Sequence, residues 1–389
     1  MHILLKSLLP LALCAAFANA QAAVQHCDIN GEYVNPNNGN MTAGKTGLMR
    51  CRDGEGGRLM REQELKNGVS MGIVRYYDDK GDLKREYSTN ERGNRDGRSR
   101  EYDGKQLVLE ENLRNSTNVG ITRRWHKNGQ LARVTHYSDE GREQAVAEFT
   151  SQGKLNALRC GPQPFLAPHA DDATWCGHKG TAPVSLYAED GRVLGTQTYE
   201  RGERRKSETL WANGKPRDQA EMSREGGVER SYSDTGVQRR ERRWVMKDTY
   251  RLITLDREFH ESGTLVRERQ WVPADRGADL VLEQQWYLNG QPRSKQEHSR
   301  LDGQATRRET LYHDNGKPSH EGVWFASGRY EHQPRGVHKS FDDAGRLQVE
   351  RHYDERGRLT REREFDASGQ VTRDDALFED GSRKAFGAR

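Results

Sequence analysis

Between Phe341 and Val371 the chain reads FDDAGRLQVERHYDERGRLTREREFDASGQV, so Phe341, Tyr353 and Phe365 each open one phrase of aromatic, Asp, two polar residues and Gly. Each new copy starts twelve residues after the last. A phrase with one aromatic and one or two aliphatics cannot bury its own apolar surface, so each copy must lean on the next. Related phrases run back along the chain as YDDKGDL from Tyr77, WHKNGQL from Trp125, FTSQGKL from Phe149, YAEDGRV from Tyr187 and WANGKP from Trp211. FHESGTL from Phe259, YLNGQP from Tyr287 and YHDNGKP from Tyr312 continue the series, and a degraded FEDGS starts at Phe378.

A second bend alternates with the first. KNGVSMGIVRYY from Lys66, ERGNRDGRSREY from Glu91 and RNSTNVGITRRW from Arg114 share a polar bend, a Gly, four residues and an aromatic. Asn-Gly, Asp-Gly and Ser-Gly supply the positive φ that tight hairpins need. The stretches between bends are too short for helices and alternate in character, as strands do. The expected fold is all-β: an extended antiparallel meander of repeated hairpins forming a long twisted sheet, with no catalytic α/β domain.

Alternation assigns faces. From Leu359 to Phe365, Leu359, Arg361, Arg363 and Phe365 share one side, while Thr360, Glu362 and Glu364 share the other. Leu83, Arg85 and Tyr87 follow the same rule, as do Leu131, Arg133 and Tyr137, and Val337, Lys339 and Phe341. One face is thus expected to be basic and aromatic and the other acidic. The first either covers itself through cross-strand ladders or presents a surface to an acidic partner.

Composition bounds the rest. Only 32% of 389 residues are hydrophobic and 31% are charged, which argues against a thick core. Disorder is the alternative for so polar a chain, yet 14 Tyr, 9 Phe and 7 Trp recur at fixed intervals. Lys6, the apolar run Leu8 to Phe17 and Ala18-Asn19-Ala20 read as a secretory signal peptide over residues 1–20, with the mature chain starting near Gln21. Leu13 before Cys14 disfavours a lipoprotein signal. Nothing downstream approaches a transmembrane span. The expectation is export to a bacterial periplasm.

Export makes disulfides the default for Cys27, Cys51, Cys160 and Cys176. Proximity favours Cys27 with Cys51 and Cys160 with Cys176, although four cysteines allow three pairings. The rival is a metal set of Cys160, His169, Cys176 and His178, whose spacing matches no standard zinc pattern. Residues 156–182 break the repeat, which divides the mature chain into a repeat region 21–155, a disulfide-bounded insertion 156–182 and a second repeat region 183–389.

Catalytic patterns are sparse. Gly68-Val69-Ser70-Met71-Gly72 matches a nucleophile elbow, but that motif needs a helix after it, and here a strand is expected. No motif asks for a metal or a cofactor. His136, His313 and His352 lie beside repeat aromatics, where surface imidazoles are the simpler reading. Arg239-Arg240-Glu241-Arg242-Arg243-Trp244 has the content of a phosphate-binding stripe, yet strand alternation splits it across two faces and the net charge is only +4. Neither an enzyme nor a nucleic-acid binder is expected.

WHKNGQL, YAEDGRV, WANGKP and YHDNGKP, with NGxxxG before an aromatic, resemble the bacterial MORN-repeat variant over roughly residues 48–155 and 183–381. That repeat occurs in proteins of the YwqK family of toxin–antitoxin antitoxins. The resemblance implies a non-enzymatic hairpin sheet that binds a protein partner, often a toxin encoded nearby. Exported relatives are similar to immunity proteins that neutralise antibacterial effectors of type VI secretion, including lipases and phospholipases. YDERGRL also resembles the YD repeats of Rhs shells, which need far longer chains. The contacts expected for a toxic effector are Phe165 and Trp175 in the insertion, the arginines Arg85, Arg133, Arg361 and Arg363, and the irregular bends at Arg276 and Arg335. The alternatives are an envelope module for glycan or lipid headgroups and a plain structural protein.

Overall fold

The computed structural model describes residues 25–54, 56–301, 303–326 and 332–385. The signal-peptide expectation for residues 1–20, with Cys14 and Gln21, lies outside them. Strand accounts for 62% of the chain and helix for 2%, so the chain is all-β.

The twelve-residue phrase folds as one strand and one turn. In the turn opened by Asp354, the Asp354 N–H donates to Arg358 O at 3.0 Å and Gly357 N–H donates to Asp354 O at 3.1 Å. The same pair of bonds recurs at Asp78, His126, Ala188, His260, Asp342 and Asp366. Gly357 has φ +77°, which a side chain would strain, and the register slips by one residue between His352 and Tyr353. This is a turn closed by a glycine bulge, and the bulge adds twist to the sheet. The second bend is a two-residue turn with positive φ at both positions, as at Asn67 (+52°) and Gly68 (+82°), or Asn115 (+49°) and Ser116 (+66°). Ser70 accordingly lies inside the strand Val69–Tyr77 that leaves this turn.

The chain divides into two compact units, residues 1–143 and 144–389. In the first, the sheet starts at its outer edge with Glu32–Val34, followed by Gln25–Ile29, Gly47–Asp53, Leu59–Lys66, Val69–Tyr77 and Leu83–Thr89. It continues through Arg95–Asp103, Gln106–Arg114, Gly120–Trp125 and Leu131–Tyr137. All pairings are antiparallel. Cys27 and Cys51 stand opposite each other on neighbouring strands and are bonded as a disulfide. Around them Ile29, Val34, Met49 and Leu65 form a buried apolar cluster.

In the second unit, seventeen strands from Pro183–Tyr187 to Arg383–Ala385 follow one another in chain order. Successive turns on one side are stitched together by side chains. Asn289 takes the Gln291 N–H on Oδ1 at 3.0 Å and donates through Nδ2 to Asp314 O, one hairpin on, at 2.6 Å. Asn213 and Asn315 reach Asp234 O and Asp343 O in the same way, and Lys215 and Lys317 add Nζ bonds to Thr235 O and Ala344 O. The Asn-Gly-Lys-Pro phrase therefore both turns the chain and ties that turn to the next.

The insertion precedes this sheet. Cys160 and Cys176 are bonded to each other, which spends both thiols of the rival metal set. Asp172, almost fully buried, accepts the N–H groups of Phe165 and Leu166 at 2.7 and 3.0 Å. The turn at Arg201 and Gly202 donates to Gly177 O and Cys176 O. A Cβ on Gly202 would sit 2.0 Å from Gly161 O, so only glycine fits there. The buried Tyr199 hydroxyl donates to Leu158 O at 2.9 Å and ties the strand Val193–Glu200 to Leu155–Arg159.

Candidate interaction faces

Antiparallel register places charges of opposite sign side by side. In the first unit, directly paired residues give the row Asp28, Arg50, Glu62, Arg75, Glu86, Arg100, Glu110 and Arg123, alternating in sign across eight strands. Arg75 lies 3.5 Å from Glu62 and 2.7 Å from Glu86, while Arg100 lies 3.1 Å from Glu110 and Arg123 2.5 Å from it. Burial alone would raise Glu62, but the Tyr77 hydroxyl at 2.7 Å with Arg50 and Arg75 outweighs it and holds the carboxyl below its usual range. Burial and the same contact push Tyr77 up to about 12. Glu110 is held low against its burial by Arg98, Arg100 and Arg123.

The second unit has such rows on both faces. One runs Glu208, Gln219, Arg230, Glu241, Arg257, Glu268, Gln284 and Lys295, and later Glu321, Lys339, Glu350, Arg363 and Asp374. The opposite face carries Glu229, Arg242, Asp256, Arg269 and Glu283, and farther on Arg351, Glu362 and Asp375. The expected division into a basic and an acidic face is corrected here. Glu362 is paired with Arg351 at 2.8 Å and Arg383 at 2.9 Å, and Arg361 with Asp374 at 2.6 Å. Alternation along one strand fixes which residues share a face, but the neighbouring strand brings the opposite charge to each.

The expected contact residues are scattered among these networks. Arg85 pairs with Glu101 at 2.7 Å, and Arg133 with Glu143 at 2.7 Å. Arg363 lies 3.3 Å from Glu350 with its guanidinium 5.1 Å from the Phe365 ring centre. Arg335 covers the Phe325 ring at 4.2 Å and donates to Glu355 O. Arg276 is exposed in the bend that Ala274 N–H and Gly277 O close at 3.1 Å. Trp175 ends the one-turn helix Asp172–Trp175, half-buried, its ring 6.2 Å from Phe149. Phe165 is half-buried beside Gly161. These residues do not converge on one site.

A cluster that the sequence reading passed over lies between strands Pro292–Leu301 and Leu347–Tyr353. The buried His338 ring stands 4.6 Å from Trp324, 4.8 Å from Tyr353 and 5.6 Å from His320. Gly322 makes room for it, since a Cβ there would meet His338 Nδ1 at 2.6 Å. Arg307 covers Trp324 at 5.2 Å. Burial lowers His298, His320 and His338, helped at His298 by Arg307 and at His320 by His338; backbone contacts of His338 oppose the shift there. The sequence shows His320 and His338 only as residues 18 positions apart; the register brings their rings together, while His298 stands opposite Arg307.

Among the described residues no helix is long and apolar enough to cross a membrane, and no group of three or more His, Cys, Asp or Glu is placed to hold a metal. A family profile described as MORN repeat variant matches residues 118–139. That span is one hairpin: Gly120–Trp125, the turn with Gly129 at φ +84°, and Leu131–Tyr137. The chain therefore carries a MORN-type repeat, and the turn at His126 recurs at Asp78, Ala188, His260, Asp342, Asp354 and Asp366. No curated protein matches the chain. Among solved structures it is similar to an S. aureus TarM mutant in complex with Fondaparinux, alpha-GlcNAc-glycerol and UDP, at 11% identity and TM-score 0.20, over 30% of this chain and 21% of that one. It is also similar to TcdB2-TccC3, at 11% identity and TM-score 0.16 over 88% and 20%, and to TcdB2-TccC3-Cdc42, at 12% and 0.19 over 87% and 23%. The chain spans about a fifth of the length of each.

Proposed function

We propose that this chain is a non-enzymatic binding module of the periplasm, an immunity protein that occludes a toxic effector encoded nearby, such as a secreted lipase or phospholipase. The observation that carries the binding reading is the MORN-type hairpin at 118–139 repeated through sheets whose broad faces are lined with polar and charged side chains. Such faces can bury the roughly 800 Å² per partner of an ordinary protein complex. Two disulfides and the signal-like residues 1–20 support the exported setting. With many charges along the rows already paired, recognition draws on the uncommitted groups and on shape. A pull-down tests this with the chain as bait in periplasmic extract and the products of neighbouring genes co-expressed. A stoichiometric complex that silences a neighbouring hydrolase is expected; recovery of the bait alone, with every neighbour folded, would overturn the reading.

A further inference from the structure

Along the second face of the seventeen-stranded sheet, the central row is filled by long side chains from Glu229 and Arg242 through Asp256, Arg269, Glu283 and Gln296. Over Glu203–Leu210, Pro216–Met222 and Gly226–Tyr232 the same face changes character. Its positions there are Ser207 opposite Ala220, and Thr209 opposite Asp218 opposite Ser231. Short side chains leave the sheet uncovered, and a basin of about 330 Å³ results.

The charges around this basin are unevenly committed. Asp218 holds Arg217 at 2.8 Å and accepts the Thr209 hydroxyl at 2.9 Å, and Glu229 holds Arg251 at 3.1 Å. Arg240 is bound through two nitrogens to Asp256, at 2.9 and 2.6 Å. Arg242 reaches only 3.7 Å from that same carboxylate, and its buried Nε has no acceptor. Arg204, at the rim, has no carboxylate partner among the described residues. The basin thus offers two cations with spare donors over a floor of hydroxyls.

We propose that this basin seats one or two carboxylate side chains of an acidic segment on the protein partner, and the proposal rests on the binding reading above. Guanidinium groups match carboxylates in charge and planar geometry. The partnered acids Asp218 and Glu229 in the lining disfavour a polyphosphate or nucleic acid, which would bring charge to them as well. One or two carboxylates from a mixed-charge protein surface bring less negative charge to those acids than a polyphosphate does.

The test uses the full chain and a labelled Ser and Thr peptide carrying two Glu, with the same peptide carrying two Gln as control, followed by fluorescence anisotropy. The Glu peptide is expected to bind more tightly than the Gln peptide. Arg242→Gln, which removes a cation, and Ala220→Leu, which fills the floor without changing charge, should each weaken it about tenfold, while Arg142→Gln in the first unit leaves it unchanged. Matching circular dichroism and melting for the variants keep folding out of the comparison. Equal weakening by Arg142→Gln, or none by Arg242→Gln and Ala220→Leu, overturns the proposal. The pull-down separates the two readings. A partner captured equally well by Ala220→Leu would leave the binding module standing without this basin, and basin-dependent peptide binding with no protein captured would do the reverse.

Discussion

Between Cys27 and Leu65 a disulfide, Ile29, Val34, Met49 and Leu65 are buried beside Thr42, Glu62 and Gln63, whereas from Asp256 to Asp375 the buried side chains are all polar: Asp256, Glu268, Ser294, Thr306, His338, Glu362 and Asp375. Both regions are antiparallel sheet, in chain order in the second but not at the edge of the first, where Gln25–Ile29 lies between Glu32–Val34 and Gly47–Asp53. In the first, apolar area is withdrawn from water and a covalent link closes the outer strands. In the second, each carboxylate loses water beneath guanidinium groups that replace it. Asp256 is held below its usual range, against its own burial, by Arg240, Arg242 and Arg269, and Glu362 by Arg351 and Arg383. A repeat that fixes only turns and strand lengths tolerates either filling, provided each strand supplies what its neighbour needs.

The largest expected effect comes from replacing Cys27 and Cys51 together by Ser. Releasing a loop with a sequence separation of 24 removes about 3 kcal/mol. Hydrogen exchange should show the loss in strands 25–66 and leave those beyond residue 256 protected, because repeat stability is carried by nearest neighbours. Loss of protection throughout would break the contrast.

Glu362→Ala leaves Arg351 without its carboxylate and Arg383 with only Asp375, 3.4 Å away, and should cost about 1–3 kcal/mol, toward the lower end because both guanidinium groups are partly exposed. The urea midpoint measures it. An unchanged midpoint would mean that the row is decoration rather than support.

Acid sharpens the comparison through its sign. His298, His320 and His338 have folded values below the 6.5 of the free side chain, so the unfolded chain takes up protons first. Their contribution is full above pH 6.5 and is lost as pH falls from there, with Arg307, Arg351 and Glu309 the charged neighbours that modulate it. For Glu62 and Glu110 the folded values are also lowered, from 4.5, so that contribution is lost only as pH falls below 4.5. Exchange followed against pH should show strands 292–353 loosening first; simultaneous loosening of the first unit's row would contradict this.

Asn289→Ala removes the stitch to Asp314 O and should cost about 0.5–1.5 kcal/mol, read as faster exchange at Gln291 and its neighbours. The smallest effect is expected at Arg85→Ala, whose partner Glu101 is also partly exposed: below about 1 kcal/mol, shrinking further in high salt.

Much of the fold was legible in the sequence because its signals are local. Gly345, Gly357 and Gly369 mark turns that must adopt positive φ, and seven-residue strands between them leave little room for another architecture. The charge rows left a fainter trace: Arg50, Glu62, Arg75, Glu86, Arg100, Glu110 and Arg123 alternate in sign about one strand and turn apart. Reading them as partners needed the register, since a bulge such as that between Tyr76, opposite Arg85, and Tyr77, opposite Leu83, changes which residue stands opposite. The basin was less legible still, because Ser207, Ala220 and Ser231 become a floor only where three strands align them.

The sequence by itself determined that this chain turns at its glycines, runs as short alternating strands and stacks each phrase on the next. Tertiary structure alone decided which carboxylate meets which arginine, where His320 and His338 join Trp324 and Tyr353, and where the sheet lies bare between Arg204 and Arg242. The physical reason is range. A turn and an alternation are settled within a few residues, whereas a cross-strand neighbour depends on every turn length and bulge between the two positions.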